Sequence, residues 1–282
     1  MITTTAADGS QIGTHQQGAQ LTHWLPAGAR ESLLFTSANA VIAAGTPLRG
    51  GVPVCFPQFA GFALPSDGHR PALPKHGFAR TAIWELLSSC TDAAGAAQQH
   101  WCLQQSAATL AIWPEHFRLD LQLQARGNTL RLQLRVHNPS ARAWHFCAAL
   151  HSYWAVPNVA DAQLLGLAGQ PYQDSTQAGA AHQQSETALR FTDELDRIYP
   201  NAPPELRVQR GDGSLRIRQS GFTDTVVWNP GAKLAGTMAD LGADQAGLFV
   251  CVEAAQVNTP ILLAPGATWQ GEQVAEWLGT QT

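Results

Sequence analysis

The sequence predicts an all-β protein, one large antiparallel sandwich with few short helices. Three observations carry this. Apolar residues recur at a period of two in run after run, the spacing of a half-buried strand. Turn formers are abundant and charge is scarce, with 25 Gly, 17 Pro and only 13% charged residues, a balance that suits many strands joined by loops. Helical spacing recurs only over residues 233–240, about two turns. The 282 residues allow a sizeable core and lie at the upper end of a single all-β domain. Residues 1–282 are expected to form one domain, with 1–17 a loose lead-in or an edge strand and 279–282 a loose tail.

In chain order, residues 18–24 alternate and turn at Pro26-Ala27-Gly28, and Leu33-Leu34-Phe35 reads as the next strand. Between Thr46 and Arg80, Gly, Pro and aromatic residues crowd together, the composition of a long ordered loop that serves a site. Leu119, Leu121 and Leu123 alternate with polar residues, turn at Arg126-Gly127-Asn128, and return through Leu130, Leu132, Leu134 and Val136 as a hairpin. Then Trp144, Phe146, Ala148 and Leu150 share one parity, and His145, Cys147, Ala149 and His151 the other. A second hairpin turns at Gly211-Asp212-Gly213. Residues 248–253, with Phe249, Cys251 and Glu253 on one parity and Leu248, Val250 and Val252 on the other, and 274–278 supply the last strands.

Several function classes are excluded. A net charge of -4 with no lysine-rich run gives no general attraction to nucleic acid or an anionic membrane. No apolar run approaches the roughly 20 residues of a membrane span. Met1-Ile2-Thr3-Thr4-Thr5 lacks the basic and apolar regions of a secretory signal. Five scattered cysteines, Cys55, Cys90, Cys102, Cys147 and Cys251, form no CxxC pair. Together these predict a reduced, cytoplasmic protein.

Two residues stand out for chemistry. His151 ends a strand on its sparse face, either satisfying a buried hydrogen bond or presenting a proton donor. Glu253 sits on a strand among Val250, Cys251, Val252, Ala254 and Ala255, and a carboxylate so placed needs a partner or a task. A histidine and a glutamate supply the protonated and unprotonated groups that acid–base catalysis requires. Arg49, Lys75 and Arg80 lie in Gly/Pro-rich loops and form either a phosphate clamp or ordinary surface ion pairs. His76 is a sugar-hydroxyl contact or a loop histidine packed on Phe78. Asp196 receives hydroxyl hydrogen bonds or pairs with Arg197. Trp24, Phe56, Phe59, Phe78, Tyr153 and Trp154 are candidates to stack on a sugar ring or to fill the core. His145 and His151, six residues apart on a strand, are roughly 20 Å apart and cannot share a metal ion. No HExxH, GxSxG, P-loop or GxGxxG signature is present.

Arg49-Gly50-Gly51-Val52-Pro53-Val54-Cys55-Phe56-Pro57, Pro74-Lys75-His76-Gly77-Phe78-Ala79-Arg80, Leu150-His151-Ser152-Tyr153-Trp154 and Phe249-Val250-Cys251-Val252-Glu253 resemble the glucose-6-phosphate 1-epimerases, the hexose-6-phosphate mutarotase branch of the aldose 1-epimerase superfamily. Residues 113–117, 195–199 and 226–231 extend the resemblance, in order, from about Gly18 to Val274. It implies a galactose mutarotase-like β-supersandwich that interconverts the α and β anomers of glucose 6-phosphate or related hexose 6-phosphates, as a monomer and without a cofactor. On it, His151 is the acid toward the ring oxygen and Glu253 the base toward the anomeric hydroxyl, flanking one pyranose from opposite edges. Arg49 and Arg80 match phosphate-binding arginines, and His76, its neighbour Lys75 and Asp196 are substrate contacts. Lys75 stands where the family usually has a neutral residue, Phe56 and Gln58 replace tryptophans, and Ala254-Ala255 replaces a frequent Pro-Gly. The rivals are an aldose 1-epimerase for unphosphorylated sugars, a silent sugar-phosphate-binding protein, and a glycoside hydrolase, which needs a second carboxylate.

Overall fold

A computed structural model of the chain describes residues 1–61, 64 and 73–279. The first half contains β1 (Ile2–Thr5), β2 (Gln11–His15), β3 (Gln20–Leu25), β4 (Val54–Cys55), β5 (Glu85–Thr91), β6 (Ala97–Gln104), β7 (Arg118–Arg126), β8 (Thr129–His137), β9 (Trp144–Leu150) and β10 (Tyr153–Ala155). The second adds β11 (Gln163–Leu165), β12 (Pro171–Asp174), β13 (Ala180–Gln183), β14 (Ala188–Arg190), β15 (Leu195–Tyr199), β16 (Glu205–Gln209), β17 (Ser214–Ser220), β18 (Asp224–Asn229), β19 (Phe249–Leu263) and β20 (Thr268–Trp277). Two short helices, α1 (Ala107–Ile112) and α2 (Gly231–Ala235), lie between strands.

Antiparallel pairing builds two large sheets. One runs β14-β11-β16-β17-β20-β8-β7-β6-β5; the other runs β13-β12-β15-β18-β19-β9-β4, with β10 also paired to β19. The hairpin expected around Gly127 is β7–β8, with Leu121 opposite Leu134 and Leu123 opposite Leu132. Those leucines pack in one apolar cluster with Trp144, Phe146, Ala148 and Leu150 of β9, so the core lies between the sheets. The other parity of β9 faces away from it: Cys147 and Ala149 join Ile198, Val226 and Ala255 in a separate cluster. Small residues on that face leave room above the sheet.

Four expectations are corrected. Residues 1–17 are not a loose lead-in. β1 and β2 form a three-stranded sheet with β3, favoured by β-branched Ile2 to Thr5 and by burial of Ile12. Thr14 donates to the Gln99 side-chain carbonyl and the Gln99 amide to Thr4, tying this small sheet to β6. Residues 33–36 form no strand but only isolated bridges, Leu34 to Trp154 and Thr36 to Gly50, with backbone hydrogen bonds from Leu33 N–H to Trp24 O and from Phe35 N–H to Tyr153 O. The helix expected over 233–240 is α2, which ends at Ala235 before Gly236. α1 was not anticipated; Ser106 and Thr109 cap its start reciprocally. Part of the Gly/Pro-rich gap before Leu73, and residues 280–282 of the expected tail, lie outside the described residues.

The 49–57 segment runs as a strap along β9 and β10. Tyr153 N–H donates to Gly51 O, His151 N–H to Pro53 O and Cys147 N–H to Pro57 O. Gly77 locks the next loop onto this strap. Its φ is +69°, and a Cβ there would stand 2.0 Å from Phe56 O. That carbonyl also accepts from the amides of Phe78 and Ala79. Gly77→Ala combines left-handed strain with a backbone clash, so it is expected to cost at least ~2 kcal/mol. Chemical denaturation of the two proteins side by side measures the difference.

Candidate active site

The site is built as rows across one sheet face. β9 pairs with β19 at Leu150–Ala254, and β10 pairs with β19 at Tyr153–Cys251. That register sets His151 opposite Glu253. On the far side of Glu253 stands Val226, and beyond it Ile198. The adjacent row on the same face is Asp196, Trp228, Cys251 and Tyr153. Antiparallel cross-strand neighbours have side chains about 5 Å apart, so these rows bring together residues distant in the chain.

His151 Nδ1 lies 3.2 Å from Glu253 Oε1. The geometry is not that of a hydrogen bond: Nδ1 and both carboxylate oxygens are buried without hydrogen-bond partners. Glu253 is 1% exposed and His151 8%. Burial therefore dominates their protonation. It holds the Glu253 carboxyl well above its usual range, with Asp196 adding to the effect. It holds His151 well below the usual imidazole range, assisted by His76, Arg80 and Arg49. The resting pair is an uncharged imidazole beside a protonated carboxyl. It shares one wall, which corrects the expectation that the two groups flank a pyranose from opposite edges.

Below His151, Tyr153 stacks at 4.9 Å and Trp228 meets its edge at 5.8 Å. Behind the pair, Gln273 of β20 reaches from the other sheet. Its side-chain carbonyl accepts from the Ser152 hydroxyl at 2.5 Å, and its amide donates to Val252 O at 3.2 Å. Trp154 Nε1 donates to the same carbonyl.

A cavity of about 320 Å³ opens over this floor, and all seven residues singled out in the sequence line it: Arg49, Lys75, His76, Arg80, His151, Asp196 and Glu253. Arg49 donates through Nε and Nη2 to the Asp240 carboxylate at 3.1 and 3.3 Å, and through Nη1 to the Tyr153 hydroxyl at 3.2 Å. It is thus both a cavity residue and an ion-paired one. Arg80 donates from Nη2 to Lys75 O at 2.8 Å, and its Nε is buried without a partner. Lys75 is exposed at the rim. His76 packs edge-on to Phe59 at 4.9 Å rather than to Phe78, and its Nδ1 accepts from Ala60 N–H at 3.3 Å. Asp196 does not pair with Arg197, whose guanidinium donates to Gln184 and lies over the Tyr172 ring. Burial raises the Asp196 carboxyl, opposed by Ser175 and Lys75.

The match to the aldose 1-epimerase family model extends over residues 1–276. The chain belongs to the aldose 1-epimerase family. It is 31% identical to a Cenchrus ciliaris protein named "Putative glucose-6-phosphate 1-epimerase", covering 90% of this chain and 77% of that one. An Escherichia coli K12 protein of the same name is 35% identical over 86% of this chain and 78% of its own. The crystal structure of a "putative mutarotase" from Salmonella typhimurium superposes with a TM-score of 0.86 at 29% identity, covering 96% of this chain and 88% of that chain. The fold is therefore galactose mutarotase-like.

Packing accounts for two departures from the family pattern. Phe56 is fully buried against Trp113, Phe117 and Phe146 in the core and cannot stack on a sugar. Gln58 donates to Leu73 O and Pro74 O, fastening the loop that carries Lys75 and His76. Trp24, Trp154 and Phe78 are also core residues, whereas Phe59 lines the cavity. Trp228, Asp240 and Gln273 were not singled out from the sequence. Only Trp228 carried a signal, its place in the 226–231 stretch that extends the family resemblance.

Among the described residues, one group could hold a metal ion: His151, Cys251 and Glu253, with ligand atoms all within 4.8 Å of one another.

His76 is the most accessible test of these electrostatics. Burial, then Arg80, Lys75 and Arg49, lower it to about 3. Its ring therefore stays neutral, with Nδ1 unprotonated, well below the usual imidazole midpoint. In an NMR titration its resonances are expected to stay flat from neutral pH down to about pH 5, while an ordinary histidine titrates near 6.5. A midpoint near 6.5 at His76 would contradict the described environment.

Proposed function

We propose that the chain interconverts the α and β anomers of glucose 6-phosphate, or a related hexose 6-phosphate, by acid–base catalysed ring opening and reclosure. Anomer interconversion follows from the family; the phosphorylated substrate rests on the cations. One observation carries the reading: a histidine–glutamate pair and three cationic side chains line a single cavity. Relatives named as glucose-6-phosphate 1-epimerases support it.

The anomeric hydroxyl oxygen and the ring oxygen are bonded to the same carbon. An acid for one and a base for the other must therefore stand side by side, as His151 and Glu253 do. In the empty cavity the pair holds one proton, on Glu253. The cations Arg80 and Arg49 are among the causes that keep it off His151. A sugar phosphate carries about -1.5 to -2 charge at neutral pH, so its binding offsets those cations and raises the proton affinity of His151. The proton then shifts toward His151, leaving a carboxylate. Imidazolium protonates the ring oxygen while the carboxylate takes the anomeric proton. The ring opens, C1–C2 rotates, and the reverse transfers close the other anomer. No electrons are exchanged, so the chemistry calls for no redox cofactor. Phe59 and Trp228 are the aromatic walls available to the sugar, and Asp196 and His76 the hydroxyl contacts. The five free cysteines, four of them buried, fit a reducing cytoplasm, and action as a monomer is part of the same proposal.

A second reading, action on unphosphorylated aldoses, draws on the pairing of Arg49 with Asp240, which occupies one edge of its guanidinium. The two readings separate in a coupled assay of α-glucose 6-phosphate with a β-specific dehydrogenase, run beside free α-glucose. His151→Asn and Glu253→Gln are each expected to lower kcat by ~10² to 10⁴. Arg80→Ala is expected to raise KM for glucose 6-phosphate ~10- to 100-fold, with free glucose little affected, the loss of a charge-assisted hydrogen bond. No acceleration over buffer by the wild-type protein would remove the enzymatic claim. An unchanged KM in Arg80→Ala would favour the second reading.

A further inference from the structure

We propose that His151, Cys251 and Glu253 form an inhibitory site for a thiophilic divalent cation of the zinc type, seated on the cavity floor. Two of the side chains come from β19 and the third from the break between β9 and β10. Cys251 and Glu253 are two residues apart on β19 and so project from the same face, and His151 stands across from Glu253. Their ligand atoms all lie within 4.8 Å of one another, and the imidazole nitrogen and carboxylate oxygen are already 3.2 Å apart. Around a tetrahedral zinc ion, with ligand bonds of about 2.0–2.3 Å, neighbouring donor atoms sit roughly 3.3–3.7 Å apart. Side-chain shifts of about an ångström close the set.

A second observation points to a ligand independently of the spacing. His151 Nδ1 and both Glu253 oxygens are buried with no hydrogen-bond partner, so their lone pairs are unsatisfied. A cation would satisfy them. The charges match as well. A thiolate, a carboxylate and a neutral imidazole contribute two negative charges against a dication, with the thiol and carboxyl protons released to solvent on binding. Thiolate and imidazole together select zinc and its cobalt surrogate over magnesium or calcium, which prefer oxygen ligands. Two guanidiniums on the cavity wall would oppose a cation: Arg49 is already paired with Asp240, and Arg80 donates to the Lys75 carbonyl. Three protein ligands leave a fourth position toward the cavity, so the ion occupies both groups that a sugar would meet.

The inhibition arm of the test rests on the epimerase reading; the binding arm does not. Chelator-treated full-length protein is titrated with Co²⁺ and read by absorption. Expected are a sulfur-to-cobalt charge-transfer band and tetrahedral visible bands, saturating at one ion per chain and erased by Zn²⁺. Cys251→Ala is expected to lose the charge-transfer band, keep its metal-free turnover of α-glucose 6-phosphate, and need at least tenfold more Zn²⁺ for half-inhibition. Cys251→Ser, nearly isosteric, is expected to lose the same band and so guards against a packing defect in the alanine variant. No charge-transfer band in the wild type, or a band that survives both substitutions, overturns the site. Equal Zn²⁺ inhibition of wild type and variants also overturns it. A wild-type protein that binds Co²⁺ through Cys251 but shows no turnover would sink the epimerase reading and leave the metal site standing.

Discussion

The register of β19 against β9 and β10 is the constraint on which the site depends. β19 runs unbroken from Phe249 to Leu263, while its partner breaks between Leu150 and Tyr153. The break leaves His151 and Ser152 free of ladder pairing in β9 and β10, and a side chain from the opposite sheet takes over. Gln273 ties the residue after His151 to the residue before Glu253, with both of its polar ends used. Such a buried amide is costly to leave half-satisfied, so the spacing of the two sheets and the placement of the His151–Glu253 pair are coupled. A one-residue slip of β19 would turn Glu253 into the core and bring Val252 or Ala254 to the cavity.

Burial then decides what the pair is. Two ionisable groups buried on a cavity floor, with cations close to the histidine, favour their uncharged forms. The cavity walls supply the countervailing charge. Three cations, Arg49, Lys75 and Arg80, face three acids, Glu194 and Asp196 on the lining and Asp240 behind Arg49. Reactivity in such a site is conditional on what enters it, because the protonation state of the floor responds to the charge that arrives above.

Much of the fold could be read from the sequence because strand parity is local. The alternation of Trp144 through His151 gave both faces of β9, and the Gly127 turn gave the β7–β8 hairpin with its leucine ladder. Parity also put Cys251 and Glu253 on one face. What parity cannot give is register between strands about a hundred residues apart, and so the direct contact of His151 with Glu253 had to come from the fold. Residues whose role is to hold others were also illegible. Gln273 sits in an ordinary amphipathic strand, and Asp240 in a turn after α2 that the helical pattern of 233–240 concealed. The lead-in was misjudged for a related reason: threonines satisfy a strand's steric preferences without the apolar signature that marks one.

The ion pair between Arg49 and Asp240 has a consequence for how ligands reach the cavity. A guanidinium already balanced by a carboxylate projects little field beyond its own contacts, and the chain as a whole is weakly acidic. Of the three cavity cations, Arg49 therefore adds little long-range attraction for anionic ligands, and its share of their encounter rate should respond only faintly to ionic strength. At Arg49, selection happens at touching range, by exchange of one oxyanion for another.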